Sequence, residues 1–216
     1  MLAVYPDRRA AGETLAAYLH SYAQFPGAVL LGLPRGGAIV AAAVARKLQL
    51  PFDVFIVRKL GVPGHEELAL GAIASGGVRV LNQEVIDNCH IRRETVEAVA
   101  AAEAAELARR EFAYRGDRPA LGLRDRTIIF VDDGLATGST MLAAVAAARQ
   151  AGAARIVVAV PVAPPDACER LAGECDAVIC PLCPKTFSSV GEWYEDFAQT
   201  TDEEVRALLG ARGFVA

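Results

Sequence analysis

The chain has 216 residues, of which 53% are hydrophobic and 22% are charged, and its net charge is −4. This length is enough for one well-cored domain, and no apolar run approaches the roughly 20 residues that a membrane-spanning helix needs. The slightly acidic balance argues against binding of nucleic acid through a basic surface. The first residues lack the basic and apolar segments of a secretory leader, so we expect a cytoplasmic protein without a membrane or nucleic-acid partner.

Five short apolar runs predict buried parallel strands. Each run is continuously hydrophobic, which is typical of strands that helices cover on both faces. Helical patterns separate the runs, and this alternation predicts right-handed crossovers. The fold class is therefore α/β, with a doubly wound, mainly parallel five-stranded sheet. The predicted strands are residues 28–33, 53–57, 127–132, 155–162 and 177–181.

The first predicted strand runs into "GLPRGG", which places Pro34, Arg35, Gly36 and Gly37 before a helix. Ligands of doubly wound sheets bind at this carboxyl edge. Two glycines in a row would cost stability unless a ligand needs the backbone there, and Arg35 adds a cation. A tight turn with a solvated arginine is the alternative.

Arg58 and Lys59 follow the second predicted strand, either as ligand-binding cations at the same edge or as a plain surface pair. Residues 59–82 contain two glycine-rich breaks and short β-type runs. This pattern predicts a flexible loop with a hairpin around Gly76 and Gly77.

Residues 94–115 are rich in alanine and glutamate and predict a helix of about six turns. Such a helix packs either across the body of the domain or against another subunit. The sequence therefore leaves a homodimer open.

Residues 128–140 read "IIFVDDGLATGST", a buried strand followed at once by Asp132 and Asp133 and then by a loop of small and hydroxyl residues. The loop amides and the start of the next helix suit a phosphate group. Two carboxylates would repel that phosphate unless they face another part of the same ligand. A sugar diol is the natural candidate, because carboxylates accept hydrogen bonds from neighbouring hydroxyls. A ribose 5-phosphate combines both groups.

The common nucleotide motifs are absent from this loop. A nucleoside triphosphate loop has the pattern G-x-x-x-x-G-K-[ST], but Gly134 and Gly138 are only four positions apart and Ser139 stands in the place of the lysine. The dinucleotide pattern G-x-G-x-x-G is also missing, since "GLPRGG" has the wrong spacing.

This stretch resembles the phosphoribosyl pyrophosphate (PRPP) binding motif of type I phosphoribosyltransferases, in which four apolar and two acidic residues precede a loop of small residues. The resemblance implies a Rossmann-like phosphoribosyltransferase fold and a Mg²⁺-dependent enzyme of nucleotide metabolism. Such an enzyme transfers the 5-phosphoribosyl group of PRPP to a nitrogenous acceptor, such as a nucleobase, and releases pyrophosphate.

The resemblance also implies roles for individual residues. Asp132 and Asp133 (the acidic pair) would bind the ribose hydroxyls and act in catalysis. Mg²⁺ would be bound near them through PRPP and water, without direct protein ligands. Residues 134–140 (the phosphate loop) would bind the ribose 5-phosphate through Gly134, Ala136, Thr137, Gly138, Ser139 and Thr140. Pyrophosphate would be bound by residues 34–37 (the pyrophosphate loop), namely Pro34, Arg35, Gly36 and Gly37, together with Arg58 and Lys59.

By the same resemblance, residues 1–216 form a single domain with a core at about 25–180, the flexible loop at about 59–82, and a hood at about 181–216 that includes the N-terminal segment. Aromatic faces suit a planar base. The predicted acceptor pocket is therefore Phe187, Val190, Trp193 and Tyr194, with packing of the C-terminal helix as the alternative role of these side chains. Ala136 stands where enzymes for 6-oxopurines have an aspartate, which disfavours hypoxanthine and guanine and leaves the acceptor unassigned.

Two other hypotheses stay open. The chain could be a regulatory protein that senses PRPP without consuming it. The "CPLC" stretch at Cys180 and Cys183 has the spacing of a redox or zinc pair. Pro181 and Pro184 surround this pair and no second pair is close in sequence, so reduced structural thiols are the prediction.

Overall fold

A computed structural model describes residues 4–211 of the protein, except for the side chains of Glu66, Glu67 and Ala211. The outermost residues of the predicted 1–216 domain lie outside this description. No helix within residues 4–211 has both the length and the apolarity to span a bilayer. The strands of this part are β1 (Val29–Gly32), β2 (Phe52–Val54), β3 (Val57–Val62), β4 (His65–Ala74), β5 (Val78–Leu81), β6 (Thr127–Val131), β7 (Arg155–Ala159) and β8 (Ala177–Ile179). The helices are α1 (Arg8–Tyr18), α2 (Gly36–Leu48), α3 (Gln83–Asn88), α4 (Arg93–Arg115), α5 (Ser139–Gln150), α6 (Pro165–Ala172) and α7 (Asp202–Ala211).

The central sheet has five parallel strands in the order β2-β1-β6-β7-β8. All five predicted strands are present, and the predicted doubly wound α/β fold is confirmed. Successive side chains alternate between two hydrophobic layers. Leu30 and Ile129 pack towards α1, α2, α4 and α7, whereas Leu31 and Ile128 pack towards α5 and α6. Because helices cover both faces, the strand sequences are continuously apolar.

The strand order reverses at β1. The chain leaves β1 on one side to form β2 and later returns to the other side of β1 as β6. Ligands of doubly wound sheets bind beyond the carboxyl ends of the strands at such a reversal. The pyrophosphate loop follows β1 and the acidic pair follows β6, so this topology brings both segments to the same edge.

Strands β3, β4 and β5 form a second, antiparallel sheet (the small sheet), which packs against α4 and α5. The sequence predicts a loop with one hairpin here, and the structure has two. One hairpin contains Gly76 and Gly77, as predicted, and the other joins β3 to β4. The alternation of these strands is interrupted, because β3 and β4 shift register around Gly61 and Gly71 has a φ of 155°.

The hood contains segments from both ends of the described chain. Tyr5 forms a parallel bridge with Tyr194, and its N–H donates to the Trp193 carbonyl at 2.8 Å. The Tyr5 carbonyl accepts from the Glu195 N–H, also at 2.8 Å. Since α1 packs against α2, these contacts join the C-terminal segment to the central sheet.

Helix α4 has 23 residues and packs across the body of the domain, against the small sheet and α7. Near its end, the buried Arg115 places Nε 3.0 Å from Oδ2 of the buried Asp53 on β2. Arg115 also contacts Glu111 at 3.0 Å and donates to the Val54 carbonyl. Burial raises the pKa of Asp53, and the Arg115 charge opposes this rise. The pair ties α4 to the edge of the central sheet.

Candidate active site

The acidic pair follows β6 directly and lies in contact with the pyrophosphate loop. A Cβ atom added to Gly36 would lie 1.9 Å from Asp133 Oδ2, and one added to Gly37 would lie 2.8 Å from Asp132 Oδ1. Only glycine is small enough at these two positions. The double glycine is therefore explained by close packing of the loop on the acidic pair, a reason that sequence reasoning did not identify. The peptide bond between Pro34 and Arg35 in this loop is cis.

The two carboxyl groups of the acidic pair are costly to ionise together. Burial raises the pKa of Asp132 well above its usual range, and the negative charge of Asp133 raises it further. Burial also raises the pKa of Asp133, against the hydrogen bond from Arg8. The Asp133 N–H donates to Asp132 Oδ1 at 2.9 Å, which orients the first carboxyl group. A ligand with several hydroxyl donors would relieve the cost of burying these charges.

Arg8 and Tyr194, which are far from the motif in sequence, hold Asp133 in place. Arg8 Nε lies 2.7 Å from Asp133 Oδ2, and the two side chains are 12% and 16% exposed. The Tyr194 hydroxyl donates to the Asp133 carbonyl. The Arg8 guanidinium is itself fixed by the Ala198 carbonyl at 2.7 Å and by the Phe197 ring, whose centroid is 3.8 Å away.

Sequence reasoning missed Arg8. Its only signal in the sequence is its place in the first turn of α1, where the helix dipole disfavours a cation. This signal is weak, because the exposed Arg9 shares the same turn.

The phosphate loop connects β6 to α5 at the same edge of the sheet. Gly138, which precedes α5, offers no capping side chain and has a φ of 71°, which favours glycine. The Thr137 hydroxyl accepts from the Ser139 N–H at 3.4 Å. Thr137 Oγ1 and Ser139 Oγ lie 3.1 Å apart. This arrangement joins hydroxyl groups to the start of a 12-residue helix, which suits a phosphate. The exposed residues of the loop are Ala136, Thr137, Ser139 and Thr140.

The predicted pyrophosphate-binding cations lie in three environments. Arg35 is exposed at the start of α2. Arg58 and Lys59 are neighbours on β3, so their side chains point to opposite faces of the small sheet. Arg58 Nε lies 2.6 Å from Glu103 Oε2 on α4, whereas Lys59 lines a cavity together with the first turn of α5. The structure therefore brings Lys59 next to the phosphate loop and engages Arg58 with α4.

The predicted acceptor residues divide into two groups. Trp193 and Tyr194 are only 3% and 6% exposed and belong to the core of the hood. Protein covers their rings, and their predicted place in the acceptor pocket stays a prediction. Phe187 and Val190 are half-buried. Phe187 stacks on Trp193 with ring centroids 6.4 Å apart, and a Cβ atom added to Gly134 would lie 2.6 Å from Val190 Cγ1. The hood thus covers the start of the phosphate loop.

Two cavities flank the site. A cavity of about 470 Å³ with mainly apolar walls lies between the small sheet and α5, and it includes Lys59, Ser139 and Thr140. Neither member of the acidic pair lines it. A second cavity, of about 270 Å³, lies between α1 and the hood and includes Arg8. The site is therefore open on the side of the phosphate loop and beside the arginine that holds Asp133.

Comparisons with known proteins show relatives that cover most of this chain. A protein of Mycobacterium tuberculosis named "Putative phosphoribosyl transferase" is 47% identical over 208 residues, which cover 95% of this chain and 46% of the relative. The chain thus spans about half the length of the curated relatives it matches. The crystal structure of TT1426 from Thermus thermophilus is 43% identical and has a TM-score of 0.86, with 95% of this chain and 97% of that chain covered.

A family model described as "Phosphoribosyl transferase domain" matches residues 5–182. These residues include Arg8, both loops and the acidic pair, whereas the predicted acceptor residues lie beyond them. The matched range covers most of the chain and all of the central sheet. The chain belongs to the phosphoribosyl transferase domain family.

Proposed function

We propose that the protein transfers the 5-phosphoribosyl group of PRPP to a small nitrogenous acceptor and releases pyrophosphate. The observation that carries this proposal is the contact between the pyrophosphate loop and the acidic pair. PRPP has its diphosphate on C1 of the ribose, next to the ribose hydroxyls. A diphosphate on residues 34–37 and a ribose on Asp132 and Asp133 would therefore place the bond that breaks between the two segments.

The 5-phosphate of the same ligand would bind to the phosphate loop. Its partners would be the amides at the start of α5 and the hydroxyls of Thr137, Ser139 and Thr140. Gly138 has no side chain to cap α5, which leaves room for an anion there, and the anion would displace the long 3.4 Å bond from the Ser139 N–H to Thr137 Oγ1. Three contact regions at one sheet edge would fix both ends of the sugar and its leaving group.

In the proposed reaction, an acceptor nitrogen forms a bond to C1 while the bond from C1 to the diphosphate oxygen breaks. The ribose carries positive charge in the transition state, and the carboxylates of Asp132 and Asp133 would stabilise it. Negative charge develops on the departing diphosphate, where Arg35 and Lys59 are the candidate cations. Arg58 would stabilise the diphosphate only if its ion pair with Glu103 broke.

The acidic pair is compatible with a Mg²⁺ ion that PRPP would bind. Within the described residues no cluster of three or more His, Cys, Asp or Glu side chains could bind a metal ion. Asp132 and Asp133 would lie near the ion and accept hydrogen bonds from its water molecules, while diphosphate and water would supply its direct ligands. Bound Mg²⁺ would supply positive charge to the leaving group.

The acceptor would enter beneath the hood, between the acidic pair and the half-buried Phe187 and Val190. An aromatic and an aliphatic side chain suit a flat, mainly apolar ring. Arg8 would have to release Asp133 or share it with the ribose, and the 270 Å³ cavity beside Arg8 gives the guanidinium room to move.

The proposal is tested by Asp133→Asn. The variant keeps the shape of the side chain and removes the charge that would accept hydrogen bonds from ribose, so PRPP affinity measured by calorimetry should fall about 10- to 100-fold. Asp117→Asn, an exposed residue after α4 with the same change in charge, is the matched control. Equal PRPP affinity in the wild type and Asp133→Asn would remove the sugar-binding role.

Pyrophosphate release in the presence of PRPP and a panel of nitrogenous bases tests turnover. Release with one base names the acceptor. Tight PRPP binding without release from any base would instead support the alternative, a PRPP-sensing protein that does not consume its ligand.

A further inference from the structure

Three of the five cysteines form a cluster beside the phosphate loop. Cys168 is on α6, and Cys180 and Cys183 follow β8. The Cys183 thiol lies 4.0 Å from Cys168 Sγ and donates to it, whereas the Cys180 thiol donates to the Leu182 carbonyl at 3.2 Å. The relevant partner of the "CPLC" pair is thus Cys168, which is distant in sequence from both of its members.

The three thiols of the cluster differ in pKa, and that of Cys168 is the lowest. Interactions with the neighbouring Cys180 and Cys183 thiols lower the pKa of Cys168 to about 7, although burial opposes this change. The interaction with Cys168 and burial raise the pKa of Cys180, and burial together with the charge of Cys168 raises the pKa of Cys183. A thiolate is the nucleophilic form of cysteine. Near neutral pH, Cys168 is therefore the most reactive thiol of the three.

We propose that Cys168 and Cys183 form a reversible oxidation site in which a hydroperoxide oxidises Cys168 and Cys183 then forms a disulfide with it. In the first step, the Cys168 sulfur attacks one oxygen of hydrogen peroxide, the O–O bond breaks, and hydroxide leaves. In the second step, the Cys183 sulfur attacks the resulting sulfenic acid, the S–O bond breaks, and the oxygen leaves as water with the Cys183 proton. Two electrons from the two sulfurs reduce the peroxide, and a dithiol reductant reverses the disulfide.

The positions of the two sulfurs favour this pair. A disulfide needs sulfur atoms about 2 Å apart, so they must approach by about 2 Å from their present separation. Cys183 is exposed and lies outside helices and strands, directly after Leu182, which forms a bridge with Val162. Only the Cys183 side chain and the residues after it would need to shift. Cys180, in contrast, is also held by the hydrogen bond from its thiol to the Leu182 carbonyl at 3.2 Å.

The disulfide would join two elements that hold the phosphate loop from opposite ends. On α6, Arg170 donates to the Thr137 carbonyl at 2.8 Å, and Leu171 Cδ1 lies 3.6 Å from the position of a Cβ at Gly138. The segment that follows Cys183 leads to Val190, which covers the start of the loop. Oxidation would therefore displace the loop. Its consequence for activity rests on the phosphate-binding role proposed above.

Disulfide mapping of the full chain tests the proposal. After treatment with equimolar hydrogen peroxide, mass spectrometry without reduction should find peptides linked through Cys168 and Cys183. Amide hydrogen exchange in residues 134–140 should change by about tenfold and return to its initial value with dithiothreitol. In Cys183→Ser, Cys168 should remain as a sulfenic acid that dimedone traps, and exchange in the loop should not change. Exposed Cys89, which lies outside the cluster, is the internal control and should react more slowly.

Each other outcome contradicts a defined part of the proposal. A disulfide between Cys168 and Cys180 would overturn the role of Cys183. Oxidation of Cys89 alone, with Cys168 in no disulfide, would overturn the site. A Cys168–Cys183 link without altered exchange would overturn the coupling to the phosphate loop. Since neither readout uses PRPP, failure of PRPP binding would count against the proposed function alone.

Discussion

The substitution Gly36→Ala tests the contact between the pyrophosphate loop and the acidic pair without removing any polar group. The new Cβ atom would lie 1.9 Å from Asp133 Oδ2 and 2.9 Å from Arg8 Nε. Ordinary contact begins at 3.4 Å, so the carboxylate oxygen must retreat by about 1.5 Å. A displacement of this size breaks the 2.7 Å ion pair between Arg8 and Asp133.

The effect on stability has two opposing contributions. Loss of a hydrogen bond between charged groups costs about 1.5–3 kcal/mol, whereas alanine is favoured over glycine within a helix by about 0.5–1 kcal/mol. The net destabilisation is therefore about 1–2 kcal/mol, or a fall in Tm of about 2–8 °C for a chain of this size. PRPP affinity should fall by about 10- to 100-fold, because Asp133 no longer occupies the position proposed for ribose binding.

Thermal unfolding and calorimetry with PRPP measure the two effects of Gly36→Ala separately. Gly210→Ala on α7 is the matched control, since a Cβ atom there meets no atom within 4 Å and only the helical preference changes. It should leave PRPP affinity unchanged and raise Tm slightly. If Gly36→Ala bound PRPP as tightly as the wild type, the acidic pair would not be the ribose site.

Two further predictions concern buried charges. Asp132→Asn should stabilise the protein near pH 7, because the raised pKa of Asp132 means that ionisation costs the folded state stability. The ordinary pKa of an aspartate is about 4, and below that pH residue 132 is protonated in both the folded and the unfolded wild type, so the advantage of the variant should vanish. A stability difference between variant and wild type that is the same from pH 3 to 8 would disprove this. Arg115→Met should destabilise the fold by about 3–5 kcal/mol in urea unfolding, because Asp53 remains buried without its cation. The double variant with Asp53→Asn should recover much of that loss, and a single variant as stable as the wild type would contradict the role of the pair.

The central sheet and the acidic motif could be predicted from the sequence because their signals are local. Continuous apolar runs reflect burial on both faces, and the segment from Asp132 to Thr140 is contiguous. The small sheet was only partly predictable, since Gly71 and the register shift around Gly61 interrupt its alternation.

Contacts between distant segments were not predictable. Arg8 reaches Asp133 across 125 positions, and no local pattern indicates that pairing. Aromatic residues near the C-terminus indicated a hood, but their composition does not reveal which rings are covered. In the structure, Trp193 and Tyr194 belong to the core of the hood, whereas Phe187 is half-buried.

The hydrogen bonds that hold Asp133 have a practical consequence for protein engineering. Two residues hold Asp133 by hydrogen bonds. Arg8 lies near the start of the described chain, and Tyr194 lies towards its end. A change in the segment before α1 or in the segment after β8 would therefore shift Asp133 while leaving the central sheet unchanged. Variants with the same central sheet and the same loops can thus differ in the position of the Asp133 carboxylate.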